Sequence, residues 1–354
     1  MDEQTRAVRA ACTTFLAGDG YVPPAALLAT IPPDTEPDAY GEGGVVAELE
    51  RYVAELLGKP AAVFLPSGTM AQAATLRVHA DRRGRRTVLW HPYCHLDNHE
   101  DQAHARLHGL LGRPVGARHR LIELADLTAV AEPVAALLLE LPQRDLGGQL
   151  PAWDDLISQV DWARDRGAAV HLDGARLWEA SVGYQRDPAG IASLFDTVYV
   201  SFYKGIGALP GCCVAGSVDD VAEVREWRRR LGGTLHGLWP AAASALHLLP
   251  ERLAELPPRL AHARAIAAAV AHLPGIQVLP DPPQTPMFHL LFRVSAERFA
   301  ANARRLAEQD GVWVWPEPMP TGDPAVVRCE LSVGRATCQL APDRIAEILA
   351  ALLD

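Results

Sequence analysis

Two short apolar runs separated by a span of helical length constrain this chain most. Val170 to Leu172 and Val198 to Val200 are β-branched and apolar, the pattern of strands buried on both faces. The segment between them, around Pro188 to Phe195, is long enough for a crossover helix, so the two strands are expected to be parallel. The first run leads into Asp173-Gly174-Ala175-Arg176 and the second into Ser201-Phe202-Tyr203-Lys204-Gly205-Ile206-Gly207. Asp173 and Lys204 then lie just past neighbouring carboxyl ends, where open α/β sheets bind ligands.

The choice of cations sharpens this. Among 33 basic residues only Lys59 and Lys204 are lysine. Arginine keeps its proton at any accessible pH, whereas burial or a nearby cation can neutralise a lysine amine. A Schiff base needs a neutral, nucleophilic amine. Lys204, between an apolar strand and Gly205, is the amine placed to form one; the plain alternative is a solvated lysine at a strand end.

Upstream, Ala61 to Leu65 reads as a strand, Pro66-Ser67-Gly68-Thr69 as a turn and Met70 to Arg82 as a helix. Free amides and the helix dipole make such a junction an anion site. An ordinary N-cap by Ser67 or Thr69 is the competing reading. After the strand Thr87 to Trp90 come His91, His95, His99, His104 and His108. Their spacing invites a metal, but His99 and His104 stand one residue too far apart for a zincin helix and no further ligands complete a set.

His171-Leu172-Asp173-Gly174-Ala175-Arg176, Lys204-Gly205-Ile206-Gly207 and Ser67-Gly68-Thr69-Met70 together resemble the threonine aldolase and β-eliminating lyase family, pyridoxal-phosphate (PLP) enzymes of fold type I. The resemblance runs from about Asp38, in Asp38-Ala39-Tyr40-Gly41-Glu42, to the C-terminus. It implies that Lys204 holds PLP as a Schiff base, that Gly68 and Thr69 bind its phosphate, and that Asp173 faces its ring nitrogen. It places Arg176 near the ring hydroxyl or substrate, and Arg328 as the clamp on the substrate carboxylate, a role that suits a bidentate guanidinium. His95 matches the histidine that stacks on the PLP ring and takes part in proton transfer; an imidazole titrates near neutral pH. The expected reaction is cleavage of the Cα–Cβ bond of a β-hydroxy-α-amino acid to glycine and an aldehyde. β-Elimination, or aldol cleavage of a bulkier substrate, is the alternative.

The chain also departs from the family pattern. The usual Ser-Asp-Thr-x-Thr near the N-terminus is missing. Phe202-Tyr203 precedes the lysine where a small polar residue is common, and Leu141-Pro142-Gln143-Arg144 replaces an Asn-Thr-His-like segment. His236 stands where an arginine usually reaches the phosphate, although Arg228 to Arg230 lie close in sequence. These differences bear on the substrate more than on the cofactor. From another class, Gly205-Ile206-Gly207-Ala208-Leu209-Pro210-Gly211 could be a dinucleotide loop of an oxidoreductase; Pro210 and the missing third-glycine spacing count against it. A non-catalytic binding protein would keep Asp173 and Lys204 without reason.

At 354 residues and 49% apolar content the chain can bury a large core and a satellite. The expected fold class is α/β: a mostly parallel sheet in a PLP-binding domain over 38–250, a smaller α+β domain over 251–354, and an N-terminal helix with a linker over 1–37. Helices are expected over Val45–Leu57, Trp153–Arg166, Val218–Leu231, Ala241–Leu249, Leu253–His272, Ala296–Asp310 and Pro342–Leu353. Further strands are expected at Val134–Leu139, Gly211–Gly216, Ile276–Leu279, Met287–Phe292, Val312–Trp315 and Val326–Leu331. A net charge of −10 without a basic stripe argues against nucleic acid, and no apolar run reaches the ~18 residues of a membrane span. The polar start Met-Asp-Glu-Gln-Thr-Arg suggests a cytoplasmic protein. Adjacent Cys212 and Cys213 read as core strand residues. The resemblance implies a homo-oligomer, dimer or tetramer, acting on a small amino acid.

Overall fold

The computed structural model describes residues 2–315 and 317–354. It divides into two compact units. One comprises residues 24–145 and 150–254; the other comprises residues up to Pro23, Leu146–Gln149 and Glu255–Asp354.

The first unit is built on a seven-stranded sheet in the order Ala61–Leu65, Cys212–Gly216, Thr197–Ser201, Ala169–Gly174, Ala136–Glu140, Thr87–Trp90 and Leu111–Pro114. The strands that read as continuous apolar runs are buried along nearly their whole length. Ala169–Gly174 and Thr197–Ser201 are parallel, pairing His171 with Thr197 and Asp173 with Tyr199. Two helices, Leu177–Tyr184 and Pro188–Ala192, make the crossover between them. Cys212–Gly216 runs against both its neighbours. The connection before it, residues 202–211, is too short for a crossover helix, so the chain turns back on itself. Cys212 pairs with both Leu65 and Ser201, which sets the carboxyl ends of Ala61–Leu65 and Thr197–Ser201 level along one rim.

Helices cover this sheet as the apolar spacing dictates. In Gly44–Leu56, Val45, Val46, Leu49 and Val53 are buried at helical intervals, and Gly58 (φ 59°) follows the last turn. Gly68–Arg83 starts directly after Pro66-Ser67 and ends at Gly84 in the left-handed region, with Arg82 and Arg83 favourably placed in its last turn.

The second unit holds an antiparallel sheet ordered Met319–Pro320, Val327–Ser332, Met287–Phe292 and Ile276–Leu279. Its core gathers Phe288, Leu290, Phe292, Phe299, Leu331, Ile345 and Leu349 with Leu16 of the N-terminal segment. The N-terminal helix spans Glu3–Ala11. Thr14–Phe15 then pairs in parallel with Val312–Trp313, so these first residues are part of this unit rather than a separate linker. The linker region itself contains a short helix, Pro24–Leu28.

One expectation is corrected outright. The helices read as Ala241–Leu249 and Leu253–His272 are a single helix, Trp239–Val270, running through Pro250, Pro257 and Pro258. An interior proline removes one backbone bond and costs ~3 kcal/mol. Burial of Leu248, Leu249, Leu256, Leu260, Ala263, Ile266 and Val270 outweighs that local penalty. Among the described residues no helix is long and apolar enough to cross a membrane.

Candidate active site

The aligned strand ends of the sheeted unit enclose a cavity of about 230 Å³. It is lined by Ser67, Gly68 and Thr69 at the start of the Gly68–Arg83 helix, by Gln72, and by Asp173, Tyr199, Tyr203 and Lys204 at and beyond the strand ends. His95 and Glu100 complete it. The sequence-predicted Lys204, Asp173, His95, Gly68 and Thr69 thus face one space.

Asp173 is the penultimate residue of its strand and almost fully buried. Its Oδ2 accepts from Gln72 Nε2 at 2.5 Å, and its Oδ1 accepts from the Ala175 amide at 3.1 Å. Lys204 sits in the tight return loop, where Phe202 N–H donates to the Gly211 carbonyl, Ala208 N–H to that of Phe202 and Gly207 N–H to that of Lys204. Gly207 takes φ 72°, which a side chain would resist. Burial holds the Lys204 amine below its ordinary value against the pull of Asp173; Arg176 reinforces the depression, Glu140 opposes it and Arg144 adds to it. Arg176, at the N-terminal boundary of Leu177–Tyr184, lies close enough to Lys204 to act on its amine by charge. The other lysine is engaged elsewhere: Lys59 Nζ donates to the Phe195 carbonyl.

His95 opens a one-turn helix, His95–Asn98. Its Nδ1 lies 2.8 Å from Glu100 Oε1, while the Glu100 side chain is 1% exposed. The imidazole thereby has Nδ1 committed to Glu100, and its ring lines the cavity. The remaining histidines of the stretch disperse: His91 Nε2 contacts the Arg120 carbonyl, His104 packs edge-on against Trp90, and His108 lies tilted against Trp227. His99 lies beside His95 with ring centroids 5.0 Å apart.

The anion site is present as backbone. Ser67, at the N-cap of a helix from Gly68 to Arg83, makes no side-chain capping bond, which leaves the first-turn amides to an outside acceptor. A side chain at Gly68 would place its Cβ 2.3 Å from the Tyr199 hydroxyl, so only glycine allows this close approach. Asp38 anchors the nearby Asp-x-Tyr-Gly segment differently from a ligand contact. It accepts from Gly41 N–H at 2.6 Å and from Leu238 and Trp239 N–H at 2.8 Å each. His236 packs edge-on against Tyr40, and Arg228 is buried with Nη1 donating to the Phe64 carbonyl. Arg328 lies on Val327–Ser332 of the other unit, paired with Leu291 and Met319.

Sequence reasoning missed Glu100, Gln72 and Tyr199. Glu100 carries a visible signal, an acid five residues after His95. Among the described residues no group of three His, Cys, Asp or Glu side chains is placed to hold a metal ion.

A family model described as β-eliminating lyase matches residues 26–292, most of the chain. The chain belongs to that family. Its curated relatives include the low-specificity L-threonine aldolase 1 of Arabidopsis thaliana, 26% identical over 79% of this chain and 80% of the relative. Among solved structures, a candidate L-allo-threonine aldolase of Listeria monocytogenes EGD-E is 35% identical with a TM-score of 0.93, covering 98% of each chain. A candidate aromatic amino acid β-eliminating lyase/threonine aldolase of Exiguobacterium sp. 255-15 is also 35% identical, with a TM-score of 0.92 over 98% of this chain and 99% of that one. The fold is that of type I PLP enzymes and the protein is a PLP-dependent, threonine-aldolase-like lyase.

The residues present fit that cofactor. It needs a neutral amine, an acceptor for a protonated ring nitrogen, an aromatic face and an anion site. The cavity offers Lys204, the buried Asp173, the His95 ring and uncapped helix amides, and Glu100 Oε2 is buried there without a hydrogen-bond partner among the described residues.

Proposed function

We propose that this site cleaves the Cα–Cβ bond of a β-hydroxy-α-amino acid, releasing glycine and an aldehyde. When bound, PLP supplies an aldehyde carbon for amines and a protonated ring that withdraws electrons from Cα. Lys204, whose amine is held below the ordinary lysine range by burial, is the residue that would hold it. Asp173 would face the ring nitrogen, and the amides of Gly68 and Thr69 would hold the phosphate. His95 takes the β-hydroxyl proton at Nε2, directly or through water, because Nδ1 is committed to Glu100. Arg176 is assigned to the ring hydroxyl or substrate. The substrate carboxylate is assigned to Arg328 on the family pattern alone.

The observation that carries this reading is the convergence of Lys204, Asp173 and the His95–Glu100 pair on one cavity. The second reading, β-elimination, is favoured by the Exiguobacterium neighbour, whose assignment names both activities. A substrate panel of threonine, phenylserine and cysteine, scored for aldehyde against keto-acid product, tests both. Keto acid without aldehyde would replace the first reading by the second. We also infer a homo-oligomer, supported by the exposed Tyr40 and Leu235; sedimentation as a monomer would refute it.

A further inference from the structure

Behind Asp173 runs a file of buried polar side chains that the reaction above does not use. Gln72 and His79 stand two turns apart on one face of the Gly68–Arg83 helix. His171 lies two residues before Asp173 on the same face of its strand, and Thr197 is its partner on the next strand. The contacts are single file. Gln72 Nε2 meets Asp173 Oδ2 at 2.5 Å, and Gln72 Oε1 meets His171 Nε2 at 3.0 Å. His171 Nδ1 meets Thr197 Oγ1 at 2.8 Å, and Thr197 Oγ1 meets His79 Nε2 at 2.8 Å. Every member is at most 3% exposed.

The chemistry of the groups gives this file a direction. A carboxylate accepts only, so Gln72 must turn its amide NH₂ to Asp173 and its carbonyl to His171. His171 then donates from Nε2, leaving Nδ1 bare to accept from the Thr197 hydroxyl. Thr197 in turn accepts from His79 Nε2–H. Burial holds both histidines down to about 3, with their mutual repulsion adding at His171 and Arg83 and Arg82 adding at His79. Each is therefore a neutral ring with one donor and one acceptor, as the file requires.

A buried polar network repays its desolvation only when every member is satisfied, and its bonds then polarise one another. Four polar side chains sit where apolar ones would pack at lower cost, and the file ends on the carboxylate of the site. We propose that Gln72, His171, Thr197 and His79 are positioning residues: a one-way hydrogen-bond chain that fixes Asp173 as the acceptor for the cofactor's ring nitrogen. Gln72 is its decisive member, since it alone touches Asp173.

The inference rests on the PLP reading of the site, and its test separates the two. In cofactor-free protein, nitrogen NMR of labelled histidines near neutral pH should show His171 and His79 protonated on Nε2 only. Thr197→Val should shift the His171 Nδ1 resonance and Thr197→Ser should restore it. A wild-type His171 protonated on Nδ1, or an unmoved resonance in Thr197→Val, overturns the chain whatever the cofactor does. In the holoenzyme with nitrogen-labelled PLP, Gln72→Leu should move the ring-nitrogen resonance toward the unprotonated position and weaken PLP binding on the order of tenfold. Gln72→Asn, one methylene shorter, should do the same where the leucine variant fails to fold. An unmoved ring resonance and unchanged affinity overturn the assigned role. Failure of the wild type to take up PLP would instead overturn the functional reading, and the tautomer spectrum would still decide the chain.

Discussion

His95 Nδ1 and Glu100 Oε1 lie 2.8 Å apart, and the Glu100 side chain is almost completely shielded from solvent while His95 opens to the cavity. A buried acid beneath a half-exposed imidazole fixes both its tautomer and its plane. If His95 is the proton acceptor, its partner governs rate rather than cofactor binding. Glu100→Ala is expected to keep PLP and lower kcat by ~10²-fold, the low end of general-base contributions. His95→Phe should keep the cofactor and lose at least as much. Absorbance of the bound cofactor and steady-state kinetics check both; normal kinetics in either variant would remove that residue from the mechanism.

The two lysines differ in surroundings, and that difference predicts opposite outcomes. Lys204 lines the cavity, while the Lys59 amine is tied to the Phe195 carbonyl. Lys204→Ala and Lys204→Arg should both lose turnover and the borohydride-sensitive absorbance near ~420 nm, since guanidinium keeps the charge but cannot act as a nucleophile. Lys59→Arg should retain both. Undiminished glycine release by Lys204→Arg would refute the role given to its amine.

The approach of Gly68 to the Tyr199 hydroxyl predicts a steric effect on cofactor affinity. Tyr199 is 2% exposed, and its hydroxyl is hydrogen-bonded to Tyr203, so it has little freedom to retreat. Gly68→Ala forces a shift at the first turn where phosphate is assigned. Overpacking of this kind costs ~1–3 kcal/mol, or roughly ten- to hundredfold in affinity. Titration of the cofactor-free variant with PLP measures it, and wild-type affinity would show that the amides lie elsewhere.

What could be read from the sequence is what local pattern encodes. Val170–Leu172 and Val198–Val200 announced buried strands, with Asp173 and Lys204 at or beyond their carboxyl ends. Glu100, Gln72 and Tyr199 stayed hidden because each acts through a side chain brought in from another element, and none carries a spacing of its own. The unbroken Trp239–Val270 helix departs from local pattern for the converse reason: Pro250, Pro257 and Pro258 are local breakers, and burial of the flanking leucines and alanines overrides them. The replacement at Leu141–Arg144 has a structural consequence that sequence could not supply. Gln143 Nε2 and the Arg144 amide both donate to Glu140, at 2.7 and 3.1 Å.

Within the second unit, Glu255 joins two arginines. Its Oε1 accepts from Arg335 at 2.8 and 2.5 Å, and its Oε2 from Arg259 at 2.5 Å; Asp19 also contacts Arg259 and the Arg335 amide. Arg259 is almost buried, whereas Arg335 is 40% exposed at its side chain. Removing the partner of a buried charge costs ~3–5 kcal/mol, and a solvated one ~0–1. Glu255→Ala is expected to destabilise by ~2–3 kcal/mol, because Asp19 still faces Arg259. Arg335→Ala should cost less than half as much. Urea unfolding of the two variants checks the order, and equal losses would contradict it.

Glu140 pairs across the sheet with Asp173, and burial together with that neighbouring carboxylate pushes its carboxyl well above the ordinary range; the Arg144 amide and Lys204 act in the opposite direction. The sign for stability follows from proton counting. Above the ordinary carboxyl range the unfolded chain has released this proton while the folded protein still holds it. Folding then loses stability as pH rises, by ~1.4 kcal/mol per pH unit at most, until the folded group also ionises. Glu140→Gln mimics the protonated form, keeps an acceptor for the Arg144 amide and removes the titration. The cofactor-free variant should therefore gain stability relative to wild type between mildly acidic and neutral pH, with the difference growing as pH rises. Parallel urea titrations at the two ends of that window measure it. A difference independent of pH would mean that Glu140 is ionised throughout, and a growing loss in the variant would reverse the assignment of the proton.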